Sequence, residues 1–142
     1  MQGESTKGGE LTAILWTDGA ARGNPGPAGI GSILKTPEGA VLSADSDYLG
    51  ETTNNVAEYK ALLMGLARAI ERGVTHLEVR ADSELLIKQL RGEYRVKNPG
   101  LKPLFEEAKG LLARFRATKL VHVRREHNGE ADRLANAGID DR

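Results

Sequence analysis

The sequence contains no cysteine. That excludes a disulfide scaffold, a thiol nucleophile and a cysteine-ligated zinc site. No apolar run approaches the roughly 20 residues of a membrane span. The first ten residues, MQGESTKGGE, lack the apolar stretch of a signal peptide. A cytoplasmic protein with no membrane association is the expectation. Excess charge is also missing, with 20 basic and 20 acidic residues for a net charge of +0. A strongly basic chain would have pointed to nucleic acid or another acidic surface, and this one does not. What is present is an ordinary globular composition, 39% hydrophobic and 28% charged over 142 residues. That suffices for one domain with a sizeable core. The charge is unevenly spread. Residues 1–60 carry 4 basic and 8 acidic groups, residues 61–129 carry 14 and 8, and residues 130–142 carry 2 and 4. A basic middle between acidic ends fits a binding face beside a carboxylate cluster, and equally fits chance differences between solvated faces.

Residues 1–10 are polar and glycine-rich and read as a flexible start; residues 139–142 read as a short tail, leaving 11–138 as the domain. Leu11–Thr17 reads as a strand. Asp18–Pro27, dense in Gly and Pro, reads as a loop. Ile30–Lys35 and Ala40–Ala44 read as strands joined by a turn, so the chain opens as an antiparallel meander. Val56, Tyr59, Leu63, Leu66 and Ile70 recur at helical spacing, and Gly73 ends that run. His76–Arg80 is a strand and Ser83–Leu90 a helix. Leu101 to Phe115 forms an amphipathic helix, Leu120–Val123 a last strand and Glu130–Ala137 a last helix. The order predicts an α/β fold: a mixed sheet of about five strands, parallel where helices intervene, with helices packed on it.

Four acids stand at element edges. Asp18 follows the first strand, Asp82 follows the strand His76–Arg80, Glu58 is near a helix start and Asp132 is in the first turn of the last helix. Each has a bland explanation. Asp82 suits an N-cap, Glu58 and Asp132 suit the helix dipole, and Asp18-Gly19 suits a turn. Together they suggest more. If the strands before Asp18 and Asp82 are parallel neighbours, both carboxylates share one sheet edge, outside strand carboxyl ends where sites gather. Clustered carboxylates repel unless a cation neutralises them, and hard oxygens suit Mg²⁺ or Mn²⁺. Two such ions about 3.5–4 Å apart can activate water and stabilise a leaving oxygen in phosphodiester cleavage. Gly26-Pro-Ala-Gly29-Ile-Gly31 has the wrong glycine order for dinucleotide binding and precedes a strand.

In order and spacing, TDGAARGNPGPAGIG at 17–31, TNNVAEYKALLMGL at 53–66, RADSELLIKQL at 80–90 and NGEADRLAN at 128–136 resemble the motifs of type 1 ribonuclease H. The resemblance runs from about Leu11 to Ala137. It implies a five-stranded mixed sheet, three antiparallel strands then parallel ones, with helices on both faces. It implies endonucleolytic hydrolysis of the RNA strand of RNA–DNA hybrids, giving 5′-phosphate and 3′-hydroxyl ends. Its carboxylate quartet falls on Asp18, Glu58, Asp82 and Asp132, holding two Mg²⁺ ions, with Mn²⁺ as a substitute. By the same analogy Asp18 bridges the ions. Asp132 holds the one that activates water, and Glu58 and Asp82 the one at the leaving oxygen. Substrate contacts fall on Arg22, Gly23 and Asn24 in the glycine-rich segment and on Thr53, Asn54 and Asn55 before the helix. Thr53 matches a pocket for a DNA-strand phosphate. Amides and backbone reaching a shallow minor groove can sense the 2′-hydroxyl that separates RNA from DNA.

Three departures stand out. Glu51 lies two positions before Thr53, where some members are basic. The segment Arg91–Leu101 is short and lacks Trp, where many members carry a basic insertion; Arg91, Arg95, Lys97 and Lys102 are its partial substitutes or plain surface charge. The loop histidine of the family, about ten residues before the last acid, has no counterpart in a loop. His127 is the candidate for proton transfer or product release, with Arg125 and Asn128 beside it; His76 and His122 read as structural. Nothing demands a dimer, so a monomer is expected. A non-catalytic hybrid-binding module of the same fold is the alternative.

Overall fold

A computed structural model describes residues 9–142; the expected flexible start falls, for residues 1–8, outside the described residues. The chain forms β1 (Thr12–Ala21), β2 (Gly26–Lys35), β3 (Val41–Thr52), α1 (Asn54–Glu71), β4 (His76–Ala81), α2 (Glu84–Leu90), α3 (Lys102–Leu112), β5 (Ala117–His122) and α4 (Gly129–Asp140). The strands make one sheet in the order β3-β2-β1-β4-β5. β1, β2 and β3 are antiparallel neighbours, whereas β1–β4 and β4–β5 are parallel. This is the expected mixed sheet.

The helices sit on both faces. The side chain of Leu15 in β1 meets Gly65 of α1, while Gly29 and Gly31 of β2 meet the backbone of α4 at Ala135 and Ala131. Since Gly31 pairs with Asp18, Asp18 faces α4 and its neighbours Thr17 and Gly19 face α1. The larger core lies on the α1 side. Leu15, Leu62, Leu66, Leu77, Val79, Leu86, Ile87, Leu90, Ala108 and Phe115 are buried together there. Within it, the Tyr59 hydroxyl donates to Gln89 Oε1 at 2.6 Å, satisfying two buried polar groups across α1 and α2.

Several boundaries differ from expectation. Asp18–Ala21 and Gly26–Pro27 are strand, not loop. Gly19–Ala21 pair with Ala28–Ile30, and Gly26–Pro27 pair with Glu51–Thr52; beside them α4 packs directly on the bare backbone of Gly29 and Gly31, where a Cβ would overlap it. A glycine-rich strand is intrinsically poor, so its pairing is fixed by what covers it. Only Arg22–Pro25 remains as a connection, closed by Arg22 N–H donating to Pro27 O at 2.8 Å and including a cis Asn24-Pro25 bond. β3 extends well past Ala44 to Thr52. α4 continues to Asp140, because Ile139 is 2% exposed and belongs to the packed face rather than to a tail.

Candidate functional site

β1 and β4 are parallel and in register through Thr17–Ala81, so Asp18 and Asp82 emerge side by side at the same end of the sheet. Glu58 reaches them from the second turn of α1. It can do so because residue 19 is glycine: a Cβ there would overlap the backbone of Ala57. At that close approach Gly19 N–H donates to Glu58 Oε1 at 3.3 Å. One carboxylate oxygen from each of Asp18, Glu58 and Asp82 lies within 4.8 Å of the others. Asp132, in the first turn of α4, lines the same cleft and hydrogen-bonds Asp18, but stands outside that tight set. The cleft holds about 410 Å³ and is also lined by Gly19, Ala20, Asn54, Asn55, Ser83 and Arg125.

Helix ends do not account for Asp82 or Glu58, whereas Asp132 does lie in the first turn of α4. Ser83 caps α2, its Oγ accepting from Leu86 N–H at 3.2 Å, which leaves Asp82 free of that duty. Thr53, not Asn54, caps α1, its Oγ1 accepting from Val56 N–H at 3.3 Å. The acids instead carry an electrostatic load. Burial pushes the Asp18 carboxyl up from 3.8 to about 8, helped by the charge of Asp82 and by the hydrogen bond and charge of Asp132, with Arg125 opposing. Glu58 is also held well above its ordinary value, by burial first and then by Asp18 and Asp82; the Gly19 N–H and Arg125 pull the other way. Removing water from close carboxylates disfavours their charge, and a multivalent cation would reverse that. An all-oxygen donor set of this kind fits a hard divalent ion.

The predicted substrate contacts are divided. Asn24 and Asn54 are exposed and linked in series: Asn24 Oδ1 accepts from Asn54 N–H at 3.1 Å, and Asn54 Oδ1 accepts from Ala21 N–H at 2.8 Å. Their oxygens are engaged by the protein, so each amide NH₂ is the group to present outward. Asn54 and Asn55 lie in the first turn of α1 rather than before it. Gly23 has φ +110, a conformation that favours glycine, at the turn that carries Asn24. Arg22 departs from expectation. Its guanidinium is directed to α4, donating to Asp140 Oδ1 at 2.6 Å and to Asn136 Oδ1 at 3.1 Å. His127 ends a short 3₁₀ turn, Arg125–His127; it is exposed and does not line the cleft, whereas Arg125 does. Arg91 is likewise occupied, donating to Leu120 O from Nε at 3.1 Å and from Nη2 at 2.6 Å. Arg95 and Lys102 line a groove of about 470 Å³ with Tyr94 and Phe105. The residue that sequence reasoning weighed too lightly is Arg125; its basic charge in a run of basic residues gave no sign that it faces the acids.

The family model described as reverse transcriptase-like matches residues 16–138. A protein of Halobacterium salinarum named ribonuclease HI is 41% identical over 135 residues, covering 95% of this chain and 67% of that one. A bifunctional protein of Mycobacterium tuberculosis is 40% identical over 131 residues, covering 92% of this chain but 36% of the relative. The chain thus spans about a third of the length of its mycobacterial relatives. Among solved structures, LC11-RNase H1 in complex with an RNA/DNA hybrid has a TM-score of 0.87 and 45% identity, covering 91% of this chain and 97% of that one. Among the described residues, no helix is long and apolar enough to cross a membrane.

Proposed function

The chain belongs to the reverse transcriptase-like family and is of its ribonuclease HI type, and from that premise we propose that it hydrolyses the RNA strand of RNA–DNA hybrids endonucleolytically, leaving 5′-phosphate and 3′-hydroxyl ends. The observation that carries the reading is the meeting of Asp18, Glu58 and Asp82 within 4.8 Å at one sheet end. Asp132, Asn54 and Asn55 line the same cleft.

Asp18, Glu58, Asp82 and Asp132 would hold the metal, which we assign as two Mg²⁺ ions, with Mn²⁺ as a substitute. When bound, such ions supply an activated water and neutralise the leaving oxygen. The protein supplies the rest. The parallel ends of β1 and β4 fix Asp18 and Asp82, and the Gly19 contact fixes Glu58. Asn54 and Asn55 line the cleft, Asn24 is bonded to Asn54 beside them, and their amides would be the donors toward a hybrid's minor groove. A ribose 2′-hydroxyl there can accept from them, which selects RNA on the cut strand. The Thr53 hydroxyl accepts within α1, so its hydrogen remains to donate to a phosphate of the DNA strand. Arg125 is the cation facing the acids and suits the scissile phosphate. We give it, rather than His127, the role beside the carboxylates. Arg22 is held to α4 and is not assigned to substrate. All four acids come from one chain, so a monomer suffices.

The test uses end-labelled duplexes of one sequence as RNA–DNA, RNA–RNA and DNA–DNA, each with Mg²⁺ or with chelator. Cleavage of the hybrid's RNA alone, and only with metal, is expected. A hybrid that is bound but never cut, with Mg²⁺ or Mn²⁺, would instead make this a binding module.

A further inference from the structure

Asn128 is 1% exposed and stands at the N-cap of α4. An asparagine there ordinarily accepts from a backbone N–H two or three residues on. This one makes no such bond. Its side chain turns to the sheet instead, and Nδ2 donates both to Thr17 O at 3.0 Å and to Asp82 Oδ2 at 3.2 Å. Thr17 and Ala81 are the last paired positions of β1 and β4. Beyond them the ladder ends, and the Asn128 amide bridges the two strands at the point where their acids emerge. The backbone of the same residue reaches a third acid: Asn128 O accepts from Asp132 N–H at 3.0 Å. One residue therefore touches Asp82, the peptide preceding Asp18 and the peptide of Asp132.

The placement is poor for stability. Asn128 Oδ1 is buried and has no hydrogen-bond partner among the described residues. A buried acceptor without a partner is destabilising. An apolar residue of similar volume would remove that acceptor but would leave Thr17 O and Asp82 Oδ2 without the donor they have here, so asparagine is explained by these two bonds and not by packing. What only the amide provides is a donor aimed at Asp82 and at the strand next to Asp18.

We propose that Asn128 is a positioning residue for the metal-holding acids: its Nδ2 fixes the Asp82 carboxylate and the spacing of the β1 and β4 ends. The inference rests on the reading of the carboxylate cluster as a metal site. It acts through Asp82 and Asp18 and makes no contact with substrate. Partners that orient metal ligands commonly change affinity by 10–100-fold when removed.

The experiment is calorimetric titration of Mg²⁺ and Mn²⁺ into the full chain without nucleic acid, for the wild type, Asn128→Ala and Asn128→Asp. Cleavage against Mg²⁺ concentration is measured alongside. Asn128→Ala is expected to weaken metal binding about tenfold and to raise the half-maximal Mg²⁺ by the same factor. Its KM for hybrid at saturating metal stays unchanged. Asn128→Asp keeps the shape and adds a negative charge. If charge alone governed the site it would bind metal more tightly; positioning predicts weaker binding, and this variant also guards against a folding defect in the alanine one. Metal affinity within twofold of the wild type in both folded variants, whatever their melting temperatures, overturns the proposal and leaves Asn128 a structural residue. A wild type that binds neither ion overturns the metal site itself and this inference with it.

Discussion

Replacing Asp18 by asparagine should stabilise the metal-free protein while abolishing cleavage. Asp18 is 5% exposed, and burial with the neighbouring acids raises its carboxyl from 3.8 to about 8. In the unfolded chain the group ionises near 3.8, so between pH 4 and pH 8 the folded state holds a proton that the unfolded state has lost. Stability therefore falls as pH rises across that window and is constant above it. A shift of about four pH units at roughly 1.4 kcal/mol each sets a ceiling of about 6 kcal/mol above pH 8. Water entry and sharing of the proton with Glu58 and Asp132 reduce that, and a gain of about 2–3 kcal/mol for Asp18→Asn at pH 8 is expected. For a chain of this size that is roughly 6–12 °C in Tm. The assay is thermal unfolding in chelator at pH 4 and pH 8, repeated with Mg²⁺. The gain should shrink to below about 1 kcal/mol at pH 4, where the folded carboxyl is protonated and the unfolded one is only about half ionised. With Mg²⁺ the wild type should rise more than the variant, which keeps only three of the four acids that would hold the ion. An Asp18→Asn protein no more stable than the wild type at pH 8, or one equally stabilised at pH 4, would refute the reasoning.

Gly19→Ala introduces a Cβ where the Ala57 backbone lies; overpacking of this kind costs about 1–3 kcal/mol, and the displaced Glu58 should lower cleavage at least tenfold, measured as denaturant midpoint and as rate at saturating Mg²⁺. Arg125→Ala should reduce kcat at least tenfold, whereas His127→Ala should stay within about twofold with an unchanged pH–rate profile, because only Arg125 lines the cleft; a larger effect at His127 would reverse the assignment. Tyr59→Phe strands Gln89 Oε1 in the core and should lower unfolding free energy by about 1–3 kcal/mol with kcat unchanged.

Much of the fold and site is legible in the chain. The apolar period from Val56 to Ile70 gives α1, and the strand–helix–strand order around His76–Arg80 gives the parallel half of the sheet. Asp18 and Asp82 were expected at a common edge on the condition that their strands pair in parallel, and they do. Where local reading failed, the reason was packing. Asp18–Ala21 and Gly26–Pro27 look like a loop because glycine and proline are weak strand formers on their own. They become strand by pairing, Gly19–Ala21 with β2 and Gly26–Pro27 with the end of β3, while α4, far on in sequence, covers the adjoining Gly29 and Gly31. Ile139 looks like part of a tail until the same helix places it in the core.

The sequence by itself determined which chemistry is possible: four acids at element ends, amides beside them, no thiol, and helical and strand periods that set the order of elements. Tertiary structure decided which groups meet. Side-chain direction and partner choice depend on contacts distant in the chain, and no local period encodes them. That is why Arg125 rather than His127 faces the carboxylates and why Arg22 turns to Asp140 instead of the cleft. It is also why the Asn128 side chain, at the N-cap of α4, turns away from its own helix and ties together the strands that carry Asp18 and Asp82.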